Sequence, residues 1–156
     1  YSEFGNLQGL FEAAIDRYND EIIDRRFGPL ERPNAGLDDI HALLDFYGSA
    51  GDGPAAGLGC LLCNTAVEFG PNDTTGTGAI QQYFGRLLGA FSNALANAQE
   101  RGQLPAAVDV RVEAGLLTSV VLGLFVMIRA KAPRAMIEHA AAAAKERLEA
   151  STALSY

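Results

Sequence analysis

The chain has 156 residues, 49% of them apolar and 20% charged, with a formal net charge of −7. That length suits one compact domain burying roughly 70% of its unfolded surface, and the acidic balance argues against phosphate backbone as a direct partner of these residues. The longest unbroken apolar stretch, Val120 to Ile128, is far short of the ~20 residues that cross a bilayer. No charged leader followed by an apolar run opens the sequence, so a cytoplasmic protein without membrane contact is expected.

Taken in chain order, Tyr1 and Phe4 lie three apart on one side of a short helical turn, and Gly5-Asn6 supplies a stop followed by an N-cap. The start therefore reads as a seam between two helices. Leu7, Leu10, Phe11, Ala14, Ile15, Tyr18 and Ile22 recur at helical spacing, predicting a long connector helix to Arg26 that Gly28-Pro29 ends. A Pro/Gly-rich link leads to Asp38 and Asp39 at a second helix start, whose stripe is Ile40, Leu43, Leu44 and Tyr47. Gly57 to Phe69 is apolar on both sides and predicts a central, enclosed helix.

Residues 71–78 are loop by composition, after which Ile80, Tyr83, Phe84, Leu87, Leu88, Phe91, Leu95 and Ala98 make the cleanest stripe, closed by Gly102. Asp109 is an N-cap candidate for a helix to Arg129 that is apolar nearly all round from Val120 onward. Pro133 then begins a last helix with the stripe Ile137, Ala140, Ala141, Ala144 and Leu148. Six main helices and no strand are expected, because every apolar stripe repeats at three and four rather than two.

The last two helices carry more apolar surface than one small domain covers. A second copy is expected against Val120, Val121, Leu124, Met127 and Ile128 of one helix, and Ile137, Ala140, Ala141, Ala144 and Leu148 of the other. Doubling both about a two-fold axis gives a homodimeric four-helix bundle.

On the central helix Cys60 and Cys63 stand one turn apart. They read as small core residues, as pocket lining, or as a redox pair; no second cysteine pair completes a structural zinc site. Asn64 needs a partner in that apolar setting, either a neighbouring backbone group or a ligand. The ligand reading makes Asn64 the polar anchor of a chamber bounded by Phe46, Tyr47, Tyr83, Phe84, Leu87 and Phe125, with Cys60, Cys63 and Val67 beside it. Such a chamber suits a small, mostly apolar or aromatic effector with one polar handle. His41 and His139 lack a matched ligand set, so no metal or cofactor is expected.

The opening Tyr1-Ser-Glu-Phe-Gly-Asn-Leu-Gln-Gly-Leu-Phe11 resembles the Tyr-x-x-Phe-Gly-Ser-Lys-x-x-Leu-Phe seam of the tetracycline-repressor (TetR) family of transcriptional regulators, where the DNA-reading helix ends and the connector begins. Gly59-Cys-Leu-Leu-Cys-Asn-Thr-Ala-Val-Glu-Phe69 and Ala98-Gln-Glu-Arg-Gly-Gln-Leu-Pro105 are similar to segments of the regulatory domain of one large subgroup of that family. The resemblance implies an all-α, TetR-like regulatory domain. Residues 1–6 would be the end of a helix-turn-helix domain lying mostly outside this chain, and residues 7–156 an effector-binding and dimerisation domain. It further implies a homodimeric repressor, not an enzyme, that an effector releases from operator DNA.

Tyr1 is carried over as a DNA-backbone contact or as plain packing, while Leu7 and Glu3 replace polar residues usual at the seam. Two alternatives stand beside the regulator. An all-α CxxC thiol peroxidase of the alkylhydroperoxidase-like type would need a histidine where Val67 stands, and a purely structural dimerising bundle would leave Asn64 without a role.

Overall fold

The computed structural model describes residues 7–18, 21, 23–49 and 74–153. The helices among them are α1 (Leu7–Tyr18), α2 (Asp24–Glu31), α3 (Leu37–Ser49), α4 (Thr74–Glu100), α5 (Val110–Arg129) and α6 (Arg134–Ala153). No strand occurs among the described residues. The expected central helix 57–69 and the seam residues Tyr1 and Phe4 lie outside them.

Glu21 and Ile23, described between α1 and α2, are both in π-helical conformation. The connector differs from expectation at its end. Helix then continues through Gly28-Pro29 to Glu31, with Pro29 inside it. The proline removes only its own backbone bond, and burial of Phe27 and Leu30 on either side outweighs that loss. The chain turns extended at Arg32, two residues beyond Leu30.

Helix α3 is capped as its acidic start suggests. The Gly36 N–H donates to Asp39 Oδ2 at 2.9 Å, so an N3 carboxylate reaches back to the N-cap amide. Helix α4 is longer than its stripe implies, since 74–78 join it instead of forming a loop. Extending an existing helix fixes one residue per hydrogen bond, a low enough cost to overcome weak threonine and glycine propensities. At its other end Gly102, at φ 73°, closes a Schellman turn. There Gly102 N–H donates to Gln99 O at 3.0 Å and Gln103 N–H to Ala98 O at 2.9 Å. Asp109 caps α5 as expected, accepting from the Arg111 and Val112 amides.

Helix α3 sits centrally, packing on α6, α4, α2 and α5, while α4 lies along α5 and α2, and α5 along α6. The α3/α6 crossing is tight. A Cβ on Gly48 would come within 2.8 Å of the Ala141 Cβ, so only glycine allows these backbones their approach. Lys145 Nζ bonds Asp45 at 2.6 Å across the same pair. One core runs through all these helices, from Ile23, Phe27 and Leu30 through Leu44, Phe91 and Leu95 to Leu124 and Leu148.

The sequence of α5 is by itself long and apolar enough to cross a membrane, a match wider than the nine residues from Val120 to Ile128. In the fold one side of it, including Ala114, Leu117, Val121, Leu124 and Phe125, is buried within the chain.

Candidate functional site

Of the residues expected around an effector, Phe46, Tyr47 and Phe125 are in ring contact, from α3 and α5. Helical spacing turns Phe46 and Tyr47 of α3 toward α2 and α5. Their rings meet edge to face at 5.1 Å, and Tyr47 meets Phe125 of α5 at 4.7 Å and 78°. Phe27, which the sequence reading did not single out, joins them: its ring lies 6.5 Å from Tyr47 and 6.1 Å from Phe91. The Arg26 guanidinium stacks 3.6 Å over Phe46, a cation–π contact closing the α2 side. Phe27 follows no motif; its only sequence signal is an apolar residue one turn beyond Ile23.

Tyr83 and Leu87, one turn apart on α4, are buried. Phe84 is not grouped with them. Its neighbouring position rotates it about 100° around the helix, and it is exposed, its ring 5.8 Å from that of Tyr83. Cys60, Cys63, Asn64 and Val67 lie outside the described residues, so the wall expected from that helix is likewise not described.

The connector is fastened to α4 by a line of polar side chains whose partners are more than fifty residues away. Arg86 Nε and a terminal nitrogen bond the two oxygens of Glu31 at 3.1 and 2.8 Å, and the same terminal nitrogen bonds Asp24. Glu31, foremost through these hydrogen bonds, and then Asp24 hold the guanidinium above its ordinary pKa range, against the opposing effect of partial burial. Two turns on, Asn93 Nδ2 donates to Leu30 O at 2.7 Å and to Arg32 O at 2.9 Å. Asn97 Nδ2 donates to Pro33 O and Ala35 O at 3.1 and 3.0 Å. The carbonyls left over at the end of α2 thus find donors on α4 rather than in water.

The residues expected at a dimer face divide between two sides. Val121, Leu124, Ile128, Ile137, Ala141, Ala144 and Leu148 are buried inside this chain. Val120, Met127 and Ala140 are partly open. Periodicity reports that a face is apolar without reporting whose core covers it, and here the subunit's own core covers most of it. The outward side of the pair instead carries Val112, Leu116, Val126 and Met136, with Val112 65%, Val126 58% and Met136 55% exposed. Between α5 and α6 it forms an almost wholly apolar groove of about 200 Å³ lined by Leu116, Val120, Ala140 and Ala143, with Glu113 and Arg147 at one end.

A second cleft, about 420 Å³, lies where the ends of α4 and α6 meet the start of α3, lined by Asp38, His41, Gln103, Glu149 and Thr152. The described residues contain no grouping of His, Cys, Asp and Glu suited to a metal ion.

The described residues thus form an all-helical domain with an aromatic cluster between α2, α3 and α5 and an apolar outer helix pair. Residues 36–144 match the family model described as tetracyclin repressor-like, C-terminal domain, and the chain belongs to this family. It is similar to the HTH-type transcriptional repressor ComR of Escherichia coli (strain K12), with 26% identity over 133 residues. That match covers 83% of this chain but 62% of ComR, so the chain spans under two thirds of that relative's length.

Among solved structures the fold resembles the TetR family transcriptional regulator CifR. One CifR cysteine mutant, complexed with 26-base-pair double-strand operator DNA, superposes with a TM-score of 0.81 at 22% identity, covering 94% of this chain and 76% of CifR. A second such mutant with the same length of DNA gives 0.82 at 21% identity, covering 95% and 77%.

Proposed function

We propose that residues 7–156 are the effector-binding and dimerisation domain of a cytoplasmic, non-enzymatic transcriptional regulator, acting as a repressor, with residues 1–6 the end of its DNA-reading domain. A small, mostly apolar or aromatic effector binds among Phe46, Tyr47, Tyr83, Leu87 and Phe125, with Asn64 as polar anchor, and releases operator DNA. The observation that carries this reading is the position of Tyr47, in ring contact with Phe125 of α5 and with Phe27 of the connector.

A guest that displaces Tyr47 displaces the packing of Phe27 with it. Arg86, Asn93 and Asn97 hold the connector to α4 on the other side, so the two helices shift together. Coupling of this kind needs only that the guest bind the two arrangements unequally. ComR is a repressor by name, and CifR is complexed with operator DNA, which supports the same role here. The open apolar side of α5 and α6 supports a homodimer, because covering it with a second copy gains about 25 cal/mol per Å² of apolar surface.

A thermal-shift screen of aromatic acids, quinones and hydrophobic amines tests the proposal. A compound at about a hundred times its dissociation constant stabilises the folded state by about 2.7 kcal/mol, which raises Tm by several degrees. At least one class is expected to do so, with calorimetry giving one site per subunit. A flat response across all three classes would remove the effector from the proposal.

A further inference from the structure

Two arginines stand side by side on α2 with no carboxylate to meet. Arg25 and Arg26 form no ion pair among the described residues, although the chain holds 19 acidic residues against 12 basic ones. Acidic side chains close by in the chain are already engaged. Glu21, one turn before Arg25, accepts from Arg17 at 2.9 Å, while Asp24 and Glu31 of α2 both accept from Arg86 on α4. Asp39 of α3 lines the same cleft as the two arginines, but its Oδ2 accepts from the Gly36 amide and the N-terminal dipole of α3 offsets its charge.

That cleft, about 160 Å³, runs between α2 and α3. Helical spacing builds it, since Asp39, Ala42 and Phe46 fall on one stripe of α3 opposite Arg25, Arg26 and Pro29 of α2. Its walls are open to solvent: Arg25 and Ala42 are exposed, and Arg26, Pro29 and Phe46 are part-buried. The Arg26 guanidinium lies 3.6 Å over the Phe46 ring. Stacking occupies the face of a guanidinium and leaves the N–H donors in its plane free, the donors with which arginine grips a carboxylate through two bonds. Arg25 brings a second such fork to the same rim.

We propose that this cleft binds a small carboxylate carrying one apolar ring, of the benzoate class, with the carboxylate held by Arg25 and Arg26 and the ring against Pro29, Ala42 and Phe46. The volume sets the size: pockets for drug-sized molecules run to about 300–1,000 Å³, so this one takes a single ring. The apolar wall favours such a ligand over inorganic phosphate, which brings no apolar surface to cover it. The site is separate from the chamber beside Tyr47 and does not depend on an effector there.

Amide-correlation NMR of the full chain, titrated with sodium benzoate, its neutral isostere benzamide and ringless acetate, tests the site. Benzoate is expected to shift the signals of residues 25–30 and 39–46 to saturation, with a dissociation constant of about 1 mM or tighter. Benzamide lacks the charge-assisted bonds and acetate the apolar contact, so each should bind about tenfold or more weakly. R25Q and R26Q should each weaken benzoate by about the same factor and leave benzamide as it was. A merely structural role for the arginines would move both ligands alike. R26K keeps the charge but loses the planar fork, and is expected to bind benzoate more weakly than the parent chain.

If R26Q does not fold, R25Q, altered at an exposed position, and the benzamide comparison carry the test. Signals of residues 25–30 and 39–46 that stay still at about 10 mM benzoate, or a dissociation constant within about twofold of the parent in R25Q and R26Q, overturn the site. Benzoate that instead moves signals around Tyr47 and Phe125, with R25Q and R26Q indifferent, overturns the cleft while favouring the effector chamber. Benzoate at the cleft, with no compound moving the signals of Tyr47 and Phe125, supports the site and tells against the effector alone.

Discussion

The rings of Tyr47 and Phe125 meet edge to face at 4.7 Å, joining α3 to α5 through two side chains that are both nearly sealed from solvent. Aromatic pairs in this geometry contribute about 0.5–1.5 kcal/mol beyond the area they bury. Tyr47→Leu and Phe125→Leu are each expected to lower stability by about 1–3 kcal/mol. The double variant should fall short of their sum by about the pair energy, read from urea unfolding of all four chains. Strict additivity would mean that the rings touch without coupling the helices.

Arg86 grips Glu31 through two separate nitrogens, and only a planar fork does this. Arg86→Lys is therefore expected to lose most of what Arg86→Ala loses, about 1 kcal/mol given the exposure of its partners. The folded-state pKa of Arg86 is raised, so its contribution is fully present below the guanidinium's ordinary, strongly basic range and fades only above it. The Tm difference between Arg86 and Lys chains should thus stay level from about pH 7 to pH 10. A difference that shrinks across that window would place its source elsewhere.

Asn93 is the donor that the last carbonyls of α2 depend on. Asn93→Ala leaves them poorly paired and should cost about 1–3 kcal/mol. Asn93→Asp is expected to do at least as much harm despite its matching shape, since an ionised carboxylate has no donor to offer a carbonyl. Hydrogen exchange at residues 28–35 should accelerate in both variants, whereas Asn93→Gln recovering full stability would show that reach matters less than the amide.

The two Schellman turns differ in one atom group that matters. Gly102 takes the left-handed conformation at the end of α4, and Lys131 takes the same conformation, at φ 53°, at the end of α5. Lys131 N–H donates to Ile128 O at 3.1 Å and Ala132 N–H to Met127 O at 2.9 Å, so the motif is complete despite a Cβ that disfavours it. Lys131→Gly is expected to raise stability by about 1 kcal/mol, and Gly102→Ala, which meets no neighbouring atom, to lower it by a similar amount through backbone strain alone. Paired thermal melts decide; a loss on Lys131→Gly would mean that the lysine side chain contributes more than its backbone costs.

Local chemistry was readable where both partners lie within a few residues. Asp109 and Gly102 announced a start and a stop from side-chain and backbone preferences that act at short range. Pro29 and the threonine-glycine run at 74–78 misled because tertiary burial and helix extension overrode local propensity. Asn93, Asn97 and Arg86 gave no signal, since each reads as an ordinary exposed polar residue until the fold brings residues 24–35 alongside. The stripe expected to meet a second copy was legible as apolar but not as inward or outward. Leu148 and Val121 turn to their own core, while Val112, Val126 and Met136 remain open.

Hydrogen–deuterium exchange of this chain with and without the most stabilising compound from the screen tests the central claim most directly, namely that a guest beside Tyr47 is felt in the connector. Protection is expected in α3 and α5 around Tyr47 and Phe125, together with a change in exchange across α2 around Phe27. Protection confined to the α5/α6 groove or to the His41 cleft, with α2 unmoved, would contradict it.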